Sequence, residues 1–264
     1  MKFRKPPVVE VWISVDFDPN ENKREPLDLR LVQEYMRFYR VELPTREILH
    51  EQTITVEEVA SNELPRVTQK DVRVQSVRLW NPNRSLMVQL GDDQFAFHVL
   101  KTREDTPGYS KVREAAQPKL EEYVRVFQPT RIRHATLHYL DIIDIPRPAC
   151  GKVNLSDYFP QAVDLPETPF GPIAALNHQF QVMCPVDEGP LFFRLQNLPS
   201  PPEQNVFRFR LEWHKQSVDV NTLDLSQVWQ RMDVAHDYMW DCFNAALSPS
   251  TLELFEPIHE TEEN

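Results

Sequence analysis

Residues 86–100, LMVQLGDDQFAFHVL, decide the fold class. Apolar and polar side chains alternate on either side of Gly91-Asp92-Asp93, and two alternating arms with turn-forming residues at their centre are the signature of a β-hairpin. A hairpin ties its strands antiparallel, and an antiparallel sheet can bury one face under helices and leave the other polar. The same reading extends outward in both directions. Upstream, Val8–Phe17 (VVEVWISVDF) is rich in β-branched and aromatic residues and stops at Asp18-Pro19. Residues 27–41 then place Leu27, Leu31, Tyr35 and Phe38 at helical spacing, with Arg30, Glu34 and Arg37 on other faces. Residues 54–59 and 72–80 read as short strands, and the polar segment 60–71 between them as a loop.

Downstream, residues 109–127 carry Val112, Ala115, Ala116, Leu120, Tyr123, Val124 and Phe127 as the apolar stripe of a helix. Pro118 is expected to kink that helix or split it in two. A long strand over 131–145 follows, then a short helix over 155–163 within a proline-rich connection reaching Pro172. Residues 175–183, 191–198 and 206–215 read as three strands. The clearest helix covers 225–247, with Asp224 or Ser226 as its cap and Pro249 beyond its end. The order is that of two β-α-β-β-β-α units, residues 1–128 and 129–264, either tandem or fused into one domain. The expected class is α+β, with mainly antiparallel sheet and helices packed on one face. Long strand edges suit one continuous sheet across both units, or a dimer.

Composition narrows the function classes. With 264 residues, 41% hydrophobic and 26% charged, the chain can bury a large core without disulfides or metals. It has 5 glycines and 23 prolines. Phosphate-cradling loops need clustered glycine for close backbone approach, and Gly91, Gly108, Gly151, Gly171 and Gly189 are scattered, so Walker and Rossmann loops are excluded. A net charge of −11 disfavours nucleic acid as a partner. Part of the excess lies in Glu253, Glu256, Glu260, Glu262 and Glu263 near the end. No apolar stretch approaches the length of a membrane span, and MKFRKPPVVEV lacks the apolar core of a signal peptide, so a cytoplasmic location is expected. Cys150, Cys184 and Cys242 are far apart and form no CxxC, which argues against a disulfide framework or a zinc ribbon. Cys242, flanked by aromatic residues, reads as a small core residue.

Several constellations resemble sites of chemistry. His134 and His138 are four apart, a zinc spacing on a helix, but RIRHATLHYLDIID alternates as a strand and separates them by about 13 Å. Asp16, Asp18 and Asn20 imitate the start of a calcium loop, which fails at Glu21 and Leu27. No HExxH, GxSxG or kinase motif set is present, and neither metal nor cofactor is expected. In residues 206–215, Phe207, Phe209, Leu211 and Trp213 form one face and Arg208, Arg210, Glu212 and His214 the other. Such arginines grip a carboxylate or phosphate, or simply pair with glutamates across strands. Asp233, Asp237 and Asp241 read as a solvated acidic stripe, with a cation or a basic partner as the alternative.

PPVVEV, MVQLGDDQFAFHVL followed by GYSKV, LHYLDIIDIP and MDVAHDYMWDCF occur in this order. Together they resemble a sporadically distributed, uncharacterised family of bacterial proteins of similar length. In that family Asn-Trp usually stands where this chain has His98-Val99, and Arg-Tyr-Ile-Asn where it has His138-Tyr139-Leu140-Asp141. His236 matches the family's helix histidine. The resemblance implies a shared fold unit and no activity.

The leading functional expectation is a non-enzymatic binding or protein-interaction module, meeting a protein partner or a second copy through its sheet edges. The alternative is a small-molecule or anion-binding protein, or an enzyme, in which His98, His138, Arg194 and Arg210 converge on a polar sheet face. His236, seven after Trp229, four after Met232 and three before Met239, is expected to face inward as a hydrogen-bonded structural pin, neutral near pH 7.

Overall fold

Strand register turns the alternating runs into one sheet with an apolar and a polar face. The structure, a computed structural model, describes residues 2–18, 27–57, 66–102, 105–149, 151, 153–161, 176–217 and 223–258. In chain order the elements are β1 (Lys2–Phe3), β2 (Val8–Phe17), α1 (Leu29–Tyr39), β3 (Thr45–Glu57), β4 (Arg66–Trp80), β5 (Leu86–Gly91), β6 (Gln94–Leu100) and α2 (Tyr109–Phe127). There follow β7 (Ile132–Pro146), a 3-10 turn at Leu155–Asp157, β8 (Asn177–Met183), β9 (Pro190–Leu198), β10 (Val206–Gln216), α3 (Leu225–Ala246), α4 (Pro249–Glu253) and β11 (Pro257–Ile258). Among the described residues nine strands form one antiparallel sheet in the order β3-β4-β5-β6-β2-β7-β10-β9-β8, and β1 pairs with β11. The α+β class with a large antiparallel sheet is what the hairpin reading expects.

The core lies between the sheet and its helices. Val11, Ile13, Val15 and Phe17 are fully buried on one face of β2. On that face Tyr123 of α2 stacks on Phe17 at 5.2 Å and meets Phe95 at 5.5 Å. Phe243 of α3 meets Trp213 of β10 at 6.3 Å. The long helices thus cover the centre of the sheet, α2 over β2 and β6, α3 over β7 and β10. Asp28 caps α1 by accepting from the Arg30 N–H at 2.8 Å. At α3 the cap is Asp224, which accepts from the Ser226 N–H at 3.0 Å. Among the described residues no helix is long and apolar enough to cross a membrane.

Several local expectations are corrected. Helix α2 is not split at Pro118, since one helix spans Tyr109–Phe127. Tyrosines of α1 brace that turn, Tyr39 donating to the Pro118 carbonyl at 3.0 Å and Tyr35 to that of Lys119 at 3.2 Å. Strand β3 begins nine residues before Ile54, and Arg66 to Asp71, expected in a loop, belong to β4. Polar side chains mask this, because a two-stranded ribbon can be polar on both faces. Residues 8–127 run β-α-β-β-β-β-α, one strand more than a β-α-β-β-β-α unit. The helix expected over 155–163 is one 3-10 turn, and Pro249 opens α4 at its first turn, where a missing N–H costs nothing. The proline-rich connection over 162–175, with Gly171 and Pro172, lies outside the described residues, as do Pro19, Asn20, Glu21, Cys150, Glu260, Glu262 and Glu263.

Candidate functional site

Pairing of distant strands assembles the helix-free face. In β2, Glu10, Trp12, Ser14 and Asp16 alternate with the buried set and so point away from the helices. Register places Trp12 opposite both His98 of β6 and His138 of β7, and His138 opposite His214 of β10. Four rings consequently form a row across four adjacent strands. Trp12 lies parallel to His98 at 5.4 Å and to His138 at 4.4 Å, while His214 stands edge-on to His138 at 4.7 Å. One row further along, Ser14 lies between Ala96 of β6 and Thr136 of β7. The short side chains of Ser14 and Thr136 line a depression beside the row of rings. A cavity of about 460 Å³ opens there, lined by Ser14, Asp16, Gln94, Thr136, His138, Gln179, Phe192, Arg194, Glu212, His214 and Gln216.

The lining is held in place by its own hydrogen bonds. Ser14 Oγ lies 3.0 Å from His138 Nε2, and His138 Nδ1 lies 2.8 Å from His214 Nδ1. Gln94 donates to Asp16 at 2.9 Å, and Arg194 donates to Asn177 at 3.0 Å. Burial, with His214 and His98 nearby, holds His138 well below the ordinary imidazole range. Burial also lowers His214, with Arg210 adding to the effect and Glu212 opposing it. Both imidazoles are therefore neutral at pH 7, and one N–H between the facing Nδ1 atoms satisfies the contact.

Of the four residues expected to converge, all occupy the helix-free face but only His138 and Arg194 line the cavity. His98 is screened from His138 by Trp12 and bonds Glu10 at 2.7 Å through Nδ1. Arg210 is paired with Glu212, and Arg194 lies 3.7 Å from the same carboxylate. The arginines do grip a carboxylate, and it is the protein's own. Arg208 likewise forks onto Asp144 of β7, at 2.7 and 2.6 Å. Ser14, Trp12, Asp16 and His214 complete the site, and sequence reading passed over their role. The alternation of β2 and β10 places them on the polar face, but their meeting depends on which strands pair.

His236 is half-buried on α3. Its Nδ1 hydrogen-bonds Tyr139 Oη of β7 at 2.8 Å, and its ring stacks on Tyr109 of α2 at 4.6 Å. Burial lowers its proton affinity, while Asp237 and Asp233 pull the other way. His236→Ala is expected to lose about 1–3 kcal/mol and Tyr139→Phe about 1 kcal/mol, read from urea unfolding midpoints. A His236→Ala protein with the parental midpoint would rule out a pinning role. The acidic stripe is not simply solvated: Asp233 accepts from Tyr109 Oη at 2.7 Å and from Arg113 at 2.7 and 2.8 Å, whereas Asp237 and Asp241 are exposed.

In the calcium-like segment Asp16 is engaged by Gln94 and Asp18 by Arg131 at 2.6 Å. Cys184 is buried and Cys242 packs half-buried against the core, where burial pushes its thiol pKa up. Among the described residues, no three His, Cys, Asp or Glu side chains are grouped to hold a metal ion. No protein-family model matches the chain, and no curated protein matches it.

Proposed function

We propose that the protein binds a small, polar, uncharged or cationic molecule in the cavity of its helix-free face. The observation that carries this reading is a concavity of about 460 Å³ whose polar side chains come from six strands. That size suits a metabolite-sized ligand. The lining carries the carboxylates of Asp16 and Glu212 against the single guanidinium of Arg194, which already faces Glu212. An anion has little to gain there. The test is a thermal-shift screen of polar fragments against the parent and Ser14→Phe, whose ring would occupy the depression. Fragments that raise the parent's melting point and leave Ser14→Phe unmoved support the reading. A library that moves neither protein, or both alike, sinks it.

A second reading, pairing with a protein partner or a second copy, is favoured by the sheet edges. Among the described residues β3 and β8 each have one strand neighbour, and residues 66–75 of β4 pair with β3 but not with β5. A two-stranded ribbon therefore extends past the sheet. Light scattering at tens of micromolar tests self-association, and a strict monomer removes the homodimer. The repeat of one unit in the two halves is part of the proposal. Its support is that β2 and β7 lie side by side at the centre, each paired on its other side with the strand preceding the long helix of its half, β6 and β10. Membership of the sporadic bacterial family and a cytoplasmic location are proposed with it, on the motifs and composition quoted above.

A further inference from the structure

We infer that Ser14, His138 and His214 form a nucleophile–base–orienter chain, and that the cavity catalyses acyl transfer from small uncharged or cationic esters. The inference rests on the cavity being a small-molecule site. Its ground is connectivity: Ser14 Oγ to His138 Nε2 at 3.0 Å, then His138 Nδ1 to His214 Nδ1 at 2.8 Å. A hydroxyl nucleophile needs a base on its proton and a third group on the base's far nitrogen, and this chain supplies both. The proton inventory agrees. With both rings neutral, Ser14 donates to Nε2 of His138, whose Nδ1–H donates to the bare Nδ1 of His214. The buried His138 ring keeps its lone pair available at neutral pH. Trp12, parallel at 4.4 Å, holds the plane of that ring. All three chain members line the cavity, so an ester carbonyl can rest on Ser14 Oγ.

In the reaction Ser14 Oγ bonds to the acyl carbon as its proton passes to His138 Nε2. The tetrahedral adduct then expels the alkoxide, which takes the proton from Nε2. Water attacks the resulting Ser14 ester, gives a proton to Nε2, and releases the acid as the proton returns to Ser14. The backbone of Ser14 is paired with β6 and β7 in register. The charge on the carbonyl oxygen therefore falls to side-chain donors, and the lining offers the amide of Gln216, in the same row as Ser14 and Thr136. Asp16 and Glu212 select against anionic acyl groups.

The test is covalent labelling with an uncharged alkyl fluorophosphonate, read by intact mass and peptide mapping, alongside release of p-nitrophenolate from p-nitrophenyl acetate. A single adduct on Ser14 is expected, absent in Ser14→Ala, with both rates falling on the order of 100-fold in His138→Gln and about tenfold in His214→Gln. Because replacing His138 also disturbs the ring row, Ser14→Cys gives a second measure. Its thiol should react with iodoacetamide faster than Cys242 does, and lose that advantage when His138→Gln is added. An unmodified Ser14 in protein with parental circular dichroism, or an adduct confined to other residues, overturns the inference. If polar fragments still bind the parent and not Ser14→Phe, the nucleophile fails alone. If they bind neither, the cavity reading fails with it.

Discussion

Near pH 8 the Asp141→Asn variant is expected to be more stable than the parent, by up to about 4 kcal/mol. Asp141 sits on the helix-facing side of β7 with 1% of its surface exposed, and its Oδ1 has no hydrogen-bond partner among the described residues. Burial drives its pKa from 3.8 up to about 7, with the nearby Trp213 indole tempering the rise. The folded protein therefore holds a proton on Asp141 through a range where the unfolded chain has released it. That contribution is complete below about pH 4 and is lost as pH rises toward 7, since folding must then place a carboxylate in the core. Asparagine has nearly the same shape and no charge to bury. Urea titrations between pH 5 and pH 8 check this: the difference between the two proteins should open with rising pH and level off above 7. A constant difference would mean that Asp141 is already ionised in the fold.

Strand identity was legible because alternation is local. The runs Val8–Phe17 and Val206–Gln216 each show it within ten or eleven residues, and each is a strand, the second with the expected faces. The same rule applied to LHYLDIIDIP puts Asp141 in line with the buried Leu137, Ile143 and Ile145, and Asp144 on the opposite face. Asp141 was therefore readable as an acid aimed at the core once the apolar set was assigned. Element limits failed where local signals are weak. The outer ends of β3 and β4 are polar, and α2 continues through Pro118 because α1 braces that turn.

The site was less legible, and the reason is topological. Ser14 and His138 stand 124 residues apart, and His138 and His214 a further 76. They meet because β2 and β7 pair at the centre of the sheet and β10 pairs on the far side of β7. A register shift of one residue would turn His138 toward the helices. Thr136 carries no chemistry, yet it is short and lines the depression beside Ser14. Sequence reading favoured His98 and Arg210 for their chemistry alone. In the fold, Trp12 separates the first from the cavity, and Glu212 engages the second.

Asp187→Asn is expected to cost about 3–5 kcal/mol, because it leaves the Lys215 ammonium unpaired inside the protein. Lys215 lies on the helix-facing side of β10 with 0% exposure, between Leu137 and Leu191 in register. Its Nζ reaches the Asp187 carboxylate at 2.8 Å and donates to the Gln216 carbonyl at 2.8 Å. Burial works against ionisation of Asp187, but the Lys215 ammonium and the Gly189 N–H outweigh it and hold the carboxyl below its usual range. The pair thus contributes fully above about pH 4 and is lost as pH falls through the depressed value. Backbone approach fixes the arrangement. A Cβ on Gly189 would lie 2.3 Å from the Gln216 oxygen and 2.6 Å from Lys215 Nζ, so Gly189→Ala should break the pair by displacing the loop. Adding Lys215→Met to Asp187→Asn removes the stranded charge and should recover most of the loss. A melting point lowered on the order of 10 °C in Asp187→Asn and largely restored in the double variant is the expected pattern. If the double variant melts no higher than Asp187→Asn, the cost lies in the reshaped loop and not in the buried charge.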